Sequence, residues 1–518
     1  MSQKTFAIHT LGCKVNTYES DAMAEQLRRA GFQETAFSEL ADVYIINTCT
    51  VTNIADRKSR QMLHRARKLN QDALVVATGC YVDAAKQNEA MQMLLEDRAV
   101  DLFISNREKP QLLELIESRL SERETAGQNG EGSGRLQGAK NGKDSGSLRE
   151  AENSEGIESC QKPENSGKAA PNGGINETAA GAAGTTRMFL TQLDGHTRAF
   201  LKVQDGCRQF CSYCIIPYVR GSISTRPVSE VVEEVRALAE QGVTEIVLNG
   251  IHLSSYGKDL LPEGKRLRER PGFRTAEDDI MSGADAPLLS LIEAVSGVEG
   301  ICRIRLGSLE PRLMTEDFTR RLASFSKICP QFHLSLQSGC DRTLRRMNRH
   351  YTTADYRKSC ELLRRYFQDP AITTDLIVGF PGETEADFEE SCRFVESLGL
   401  YEVHVFKYSR RAGTAADKLP DQLTEAVKAE RSERLLRLTE KLSHGFRQRR
   451  LGTRQRFLCE ETVELSGEAY VTGFTADYVR CLYPKRLLGE GVRPGQFLEG
   501  EVKGLLPKKV LDESLLLG

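Results

Sequence analysis

Residues 199–214 read AFLKVQDGCRQFCSYC. AFLKVQ is a short apolar run of strand composition, and Cys207, Cys211 and Cys214 follow it within one loop. Further runs of this kind follow before about Pro420: EIVLN, CRIRLG, FHLSLQ, ITTDLIVGF and EVHVFKYS. Helical stretches such as SEVVEEVRALAEQG, PLLSLIEAVSGV and TADYRKSCELLRRYF separate them. Consecutive βα units imply an incomplete parallel barrel of six strands. The cysteine loop then lies on the face where barrel active sites are built. Three thiolates so close together can wrap one metal centre. Zinc loops usually pair their cysteines and close with a fourth protein ligand, whereas iron–sulfur sites use closely spaced runs. With three local ligands a four-iron cluster keeps one iron open to a substrate. A zinc loop, or a chance grouping, is the alternative.

Upstream, residues 1 to about 120 alternate TFAIHTLG, DVYIINT, ALVVATG and VDLFISN with helical stretches, the pattern of a parallel, Rossmann-like sheet. Cys13, Cys49 and Cys80 each follow one of these runs. In an open parallel sheet the C-terminal strand ends share one edge, where ligands bind. These thiols therefore converge on a second site, or are small residues buried in tight βα packing.

Residues 121–186 hold 13 glycines, no aromatics and only four of Leu, Ile, Val and Met. Such a segment buries too little apolar surface to offset its chain entropy and reads as a disordered insertion, with Cys160 an uninvolved thiol. Residues 258–286 read as a second polar insertion. Arg431 to Arg456 carries nine Arg or Lys against two Glu. This is a solvated helix face or, ahead of the short strands RFLCEE, EAYVTGFTADYVRCLYP and QFLEGEVKGL, the approach to a nucleic-acid-binding β-barrel.

Composition narrows the class. The chain has 518 residues, enough for about three domains. Its formal net charge of −2 excludes a uniformly basic nucleic-acid coat. No apolar stretch approaches ~18 residues, so no membrane partner is expected. The first residues do not have the pattern of a signal peptide. The expected place is the cytoplasm, where 14 cysteines serve metal sites more often than disulfides.

The CxxxCxxC spacing, with an aromatic before its last cysteine, resembles the radical S-adenosylmethionine (SAM) superfamily. Together with Cys13, Cys49 and Cys80, the pattern is similar to the radical SAM methylthiotransferases over nearly the whole chain. The resemblance implies an α/β architecture in four parts. Residues 1–120 would be the N-terminal methylthiotransferase domain, 121–186 the insertion, and 187–430 an incomplete TIM-like (β/α)6 radical SAM core. Residues 431–518 would be a basic helix and a small RNA-binding β-barrel of the TRAM type. It implies two [4Fe-4S] clusters: Cys207, Cys211 and Cys214 would hold the radical-generating one, and Cys13, Cys49 and Cys80 the auxiliary, sulfur-donating one. SAM is the implied cofactor, with Glu310, Gln337 and Glu383 as candidate binding residues on the strand-end motifs SLEP, LQSG and GFPGET. The implied partners are the anticodon loop of tRNA, an external electron donor and a sulfur donor.

The flanking residues LGCKVNTYES, INTCTVTNIADRKSRQ and DGCRQFCSYCIIPYVRG are most similar to the branch acting on N6-threonylcarbamoyladenosine at position 37 of tRNA. The implied product is the 2-methylthio derivative. The alternatives are methylthiotransferases for isopentenyladenosine or for a ribosomal-protein aspartate, and, in another class, a non-catalytic RNA-binding iron–sulfur sensor. Two departures from the family pattern stand out. The 121–186 segment is longer than the usual linker, and Leu306-Gly-Ser replaces the commoner serine pair before Leu-Glu-Pro.

Overall fold

The computed structural model describes residues 3–128, 188–191, 197–260, 281–489, 491–506 and 514–518. The N-terminal sheet contains β1 (Thr5–Thr10), β2 (Gln33–Glu34), β3 (Val43–Thr48), β4 (Leu74–Gly79) and β5 (Leu102–Ile104). They pair in parallel in the order β2-β1-β3-β4-β5. VYIINT and LVVATG bury every residue, as central strands covered on both faces must.

The second layer system is the barrel: β6 (Arg198–Asp205), β7 (Ser224–Thr225), β8 (Glu245–Gly250), β9 (Arg303–Leu306), β10 (Gln331–His333), β11 (Ala371–Val378) and β12 (Glu402–Lys407). β6, β8 and β9 run parallel, as do β10, β11 and β12. A parallel bridge between Leu309 and Leu334 joins the two sets into an open barrel of six parallel strands. Ala199, Leu201 and Val203 of β6, with Ile246, Leu248 and Ile304, enter the main apolar core. Strand alternation therefore turns Arg198, Phe200, Lys202 and Gln204 toward the lumen. By the same rule Glu245, Arg303, Arg305, His333, Asp375 and His404 line it.

The C-terminal strands β13 (Arg454–Leu465), β14 (Glu468–Thr475), β15 (Arg480–Pro484), β16 (Phe497–Leu506) and β17 (Ser514–Leu517) close into a barrel in the order β13-β14-β15-β17-β16. It abuts the N-terminal ends of the large barrel's first strands. Arg303 donates to the carbonyls of Phe474 and Arg456, and Arg305 to those of Thr475 and Ala476.

The structure departs from the sequence expectations in several places. A helix over Leu112–Gln128 runs into the segment read as disordered from 121; the rest of that segment, with Cys160, lies outside the described residues, as do 261–280. EAYVTGFTADYVRCLYP is two strands, because Tyr478 turns the chain with a φ of 64°. SLLL at the C-terminus supplies a fifth strand. The basic segment starts in a helix over Glu425–Gln448, which begins inside the stretch assigned to the barrel, and ends on β13. Among the described residues no helix is long and apolar enough to cross a membrane.

Candidate functional site

Both cysteine sets lie at C-terminal strand ends, where the sequence puts them, and each is held by different means. Cys13 begins the helix Lys14–Arg29, Cys49 follows β3, and Cys80 opens the helix Cys80–Gln87 directly after β4. Their strands are adjacent, with Thr10 opposite Asn47 and Thr48 opposite Gly79. Gly12 has a φ of +109°, and a Cβ there would come within 3.0 Å of Cys49 Cβ and 3.1 Å of its Sγ. No side chain fits at that point. Asn16 closes the same edge by donating to the carbonyls of Leu11 (2.7 Å) and Thr48 (3.1 Å). Asn47 returns a bond to the Asn16 carbonyl. Burial, then the neighbouring Cys80 and Cys13, push the Cys49 thiol up to about 12 against a backbone hydrogen bond from Val51. Burial likewise raises Cys80, against the pull of Arg220 and Lys109.

The second set sits on the loop after β6. Cys207 N–H donates to Gly221 O, Ser212 N–H to Met347 O, and Cys214 N–H to Cys211 O. Phe210 adopts a left-handed φ of 48°, and its carbonyl accepts Asn348 Nδ2 at 2.9 Å. Arg349 Nη1 donates to Cys211 Sγ at 3.1 Å. Burial raises the Cys207 thiol to about 12 and Cys214 also upward, with Cys211 adding to both. Metal loading of either set must therefore release protons. None of the described cysteines is in a disulfide, and glycine-opened backbone surrounds the first set. Six free thiols in two groups of three fit thiolate-ligated metal clusters.

One buried ionic knot joins the sets. Arg220 Nε donates to Cys80 Sγ at 3.2 Å, while its other nitrogens reach Glu19 (2.7 Å), Asp205 (3.1 Å) and Asn16 (2.8 Å). Asp205 lies two residues before Cys207. Glu19 is fully buried and also holds Lys109 and Lys202. Burial alone would raise the Glu19 carboxyl, but Arg220, Lys109 and Lys202 hold it well below the usual range. A second tie is Arg411, buried against Asp56, Asn53 and Thr50 beside the Cys49 loop.

Two family models match the chain: residues 5–105 fit the model described as "Uncharacterized protein family UPF0004", and residues 201–395 the radical SAM superfamily. The threonylcarbamoyladenosine tRNA methylthiotransferase MtaB of Bacillus subtilis (strain 168) is 33% identical over 480 residues, 92% of this chain and 90% of that one. MtaB of Aquifex aeolicus (strain VF5) is 34% identical, over 90% of this chain and 95% of that one. The chain belongs to the radical SAM methylthiotransferase family. A tRNA-2-methylthio-N(6)-dimethylallyladenosine synthase of Moorella thermoacetica is nearly as similar, 32% over 85% of this chain and 84% of that one. As a radical SAM methylthiotransferase the chain uses SAM and an iron–sulfur cluster.

In this methylthiotransferase the three residues proposed for SAM fare differently. Glu310 is buried on the barrel rim. Burial would raise its carboxyl, yet a hydrogen bond and charge from His252, with Arg349 and Arg312, hold it at about 2. Gln337 takes a left-handed φ of 69° while pairing with β11, a costly geometry for a non-glycine residue and one that clusters at functional positions. Glu383 is occupied within the fold: it accepts Gly379 N–H at 2.7 Å and Arg431 Nη1 at 2.7 Å.

The lumen carries charges that sequence reasoning missed. Glu245 is shared by Arg198 (3.0 Å), Arg303 (3.5 Å) and Arg305 (2.7 Å). His333, Asp375 and His404 bring ligand-type atoms within 4.8 Å of one another. Lys14, next to Cys13, lies over the Phe200 ring at 5.9 Å. Apart from Arg303 and Arg305, which share β9, each comes from a different element, and only the folded barrel and the helix beside it bring them together. Arg220 was visible in IIPYVRG, but nothing in the sequence pairs it with Glu19. The basic segment is the reverse case. Each of its eight arginines is paired with a carboxylate of the same chain, from Arg431 with Glu383 to Arg456 with Glu499. Among the described residues Lys441 is the exception, and the segment's free charge is much smaller than its sequence suggests.

Proposed function

We propose that this chain methylthiolates C2 of N6-threonylcarbamoyladenosine in tRNA, at position 37 beside the anticodon, giving the 2-methylthio derivative. Two cysteine triads tied together by Arg220 at one end of an open barrel support the reading, as do relatives of that printed activity across most of the chain. Adenine C2 carries a hydrogen that is not acidic, so acid–base chemistry does not reach it. Two [4Fe-4S] clusters and SAM supply, when bound, the radical and the methylthio sulfur. Cys207, Cys211 and Cys214 would hold the cluster that meets SAM, and Cys13, Cys49 and Cys80 the one that donates sulfur.

The chain's own residues orient and enclose. Arg349 and Arg220 each give one N–H to a cysteine sulfur, which fixes where that sulfur sits. The barrel wall keeps water from the reacting centre. The target nucleoside must leave its stack to enter, which a single-stranded anticodon loop permits. The small C-terminal barrel would receive the RNA, with an external electron donor and a sulfur donor completing the cycle. A groove of about 770 Å³ between β12, the Glu425–Gln448 helix and the small barrel, lined by Phe474, Tyr478, Arg480 and His404, is of a size to receive a nucleotide.

The test is mass spectrometry of tRNA nucleosides from a host that makes threonylcarbamoyladenosine but lacks its methylthio derivative. The new nucleoside should appear with the wild type and not with Cys207→Ala. Its absence when both clusters are loaded would overturn the substrate assignment, and isopentenyladenosine and the ribosomal protein would be analysed next. Formation of 5′-deoxyadenosine under reducing conditions excludes the non-catalytic sensor.

A further inference from the structure

Lys14 is a cation without a carboxylate in a site that already has more positive than negative charge. Its side chain is exposed, and its ammonium lies over the ring of Phe200 at 5.9 Å, on the barrel face that also carries Arg198 and Arg305. Those two arginines, with Arg303, are already committed to Glu245, and Arg198 also to Glu460. Four cations therefore meet two carboxylates, and among the described residues none of the carboxylates pairs with Lys14. An unpaired ammonium beside an excess of positive charge favours a ligand that brings an anionic group.

The position of Lys14 says which ligand. It is bonded in sequence to Cys13, so whatever sits against its ammonium is close to the first cysteine set. On the proposed function, C2 of the adenine must come to that set. The N6 substituent of threonylcarbamoyladenosine folds along the Watson–Crick edge, the side of the base that also carries C2, and it ends in a carboxylate. An isopentenyl group at the same position is uncharged and would leave the ammonium unpartnered. We propose that Lys14 binds the threonyl carboxylate of the substrate nucleoside and so sets the choice of N6 substituent, with Phe200 as the apolar wall beside it.

This rests on the reading of the substrate as threonylcarbamoyladenosine, and the experiment separates the two. The holoenzyme is given anticodon stem–loop RNAs carrying threonylcarbamoyladenosine, its carboxamide analogue, or isopentenyladenosine. Wild-type enzyme should favour the carboxylate over the carboxamide by roughly 10- to 100-fold in kcat/KM, the range expected for a hydrogen bond to a charged group. Lys14→Gln should bring the carboxylate RNA down to the level of the carboxamide RNA, mainly through KM. Lys14→Arg should keep most of the preference. Iron content and 5′-deoxyadenosine formation without RNA report on folding and cluster loading in each variant. Retention of the carboxylate preference by Lys14→Gln overturns the proposal while leaving the substrate reading intact. An equal loss on all RNAs, accompanied by lower iron content, also overturns it, since Lys14 would then serve the metal site. Turnover of only the isopentenyl RNA by the wild type overturns the substrate reading itself.

Discussion

Cys207, Cys211 and Cys214 are neighbours in sequence and are held by distant residues, whereas Cys13, Cys49 and Cys80 are distant in sequence and are held by their own sheet edge. The first loop leans on Met347, Asn348 and Arg349, well over a hundred residues away. The second set is closed by Gly12, Asn16 and Asn47, which belong to the strands and helix that carry it. Yet both converge on one device. A buried arginine donates to one sulfur of each set, Arg349 to Cys211 and Arg220 to Cys80, and a buried glutamate faces each arginine, Glu310 and Glu19. A short motif fixes ligand spacing but not the loop's support; a dispersed set gets its support from the sheet but needs the whole domain folded to exist.

The largest effect should come from separating the two sets chemically. Cys207→Ala should abolish both SAM cleavage and the modified nucleoside. Cys80→Ala should abolish the nucleoside while 5′-deoxyadenosine still forms under reducing conditions. Chromatography of both products checks this. Loss of 5′-deoxyadenosine in Cys80→Ala, with the iron of the first loop intact, would break the division of roles.

Next is the difference between the two glutamates. Glu19→Gln leaves Arg220, Lys109 and Lys202 buried around an uncharged group and should cost about 3–5 kcal/mol, as removal of one partner from a buried charge set does. Urea unfolding followed by circular dichroism measures it. A cost below about 1 kcal/mol would mean that water, rather than Glu19, compensates those cations.

Glu310 should be felt through pH instead. Its folded carboxyl is held at about 2, below the ordinary 4.5. The stability this brings is therefore fully present above 4.5 and disappears as pH falls toward about 2. Its size is on the order of 3 kcal/mol. Glu310→Gln should flatten the acid limb of the unfolding free energy relative to wild type and leave the slope above pH 5–6 unchanged, within about the spread of a surface substitution. Identical acid limbs would show that His252 and Arg349 do not stabilise the charged carboxylate.

Much of this was legible in the sequence, and the reasons differ by region. VYIINT and LVVATG were legible as strands because they are short, mainly apolar runs between helical stretches, and the strand ends then located Cys49 and Cys80. The barrel strands were legible because five of the six are sustained runs. FHLSLQ is less regular: its continuous ladder with β11 ends at His333, and Leu334 and Gln337 add only separate backbone bonds beyond it. The ionic knot was not legible. Glu19 is one of several charged residues on an amphipathic helix, and nothing local says that three cations from elsewhere will bury it. The charge run at 431–456 misled for the same reason: sequence counts charges, whereas folding pairs them, and Arg434 alone reaches Glu385, Glu389 and Glu430.

The smallest effect tests the claim that the sequence-local set depends on remote support. Asn348 holds the carbonyl of Phe210 while its own backbone sits at a φ of 57°, so replacement by alanine would confuse a lost hydrogen bond with backbone strain. Asn348→Gly keeps the backbone permissible and removes only the amide. The exposed bond it deletes should cost about 1 kcal/mol or less. Asn16→Ala, which removes a buried bond to the Thr48 carbonyl, a part-buried one to the Leu11 carbonyl and the oxygen that accepts from Arg220, should cost about 2–3 kcal/mol because buried partners are left unpaired. If the support is as described, Asn348→Gly should slow iron incorporation at the Cys207 loop with little change in global stability, since Phe210 is left to find its left-handed conformation unaided. Asn16→Ala should lower stability and iron incorporation at the other set together, because there the edge that holds the cysteines is also the edge of the folded sheet. An Asn348→Gly variant that loads iron at the wild-type rate would show that the loop is competent alone, and that the motif carries its own structure as well as its own ligands.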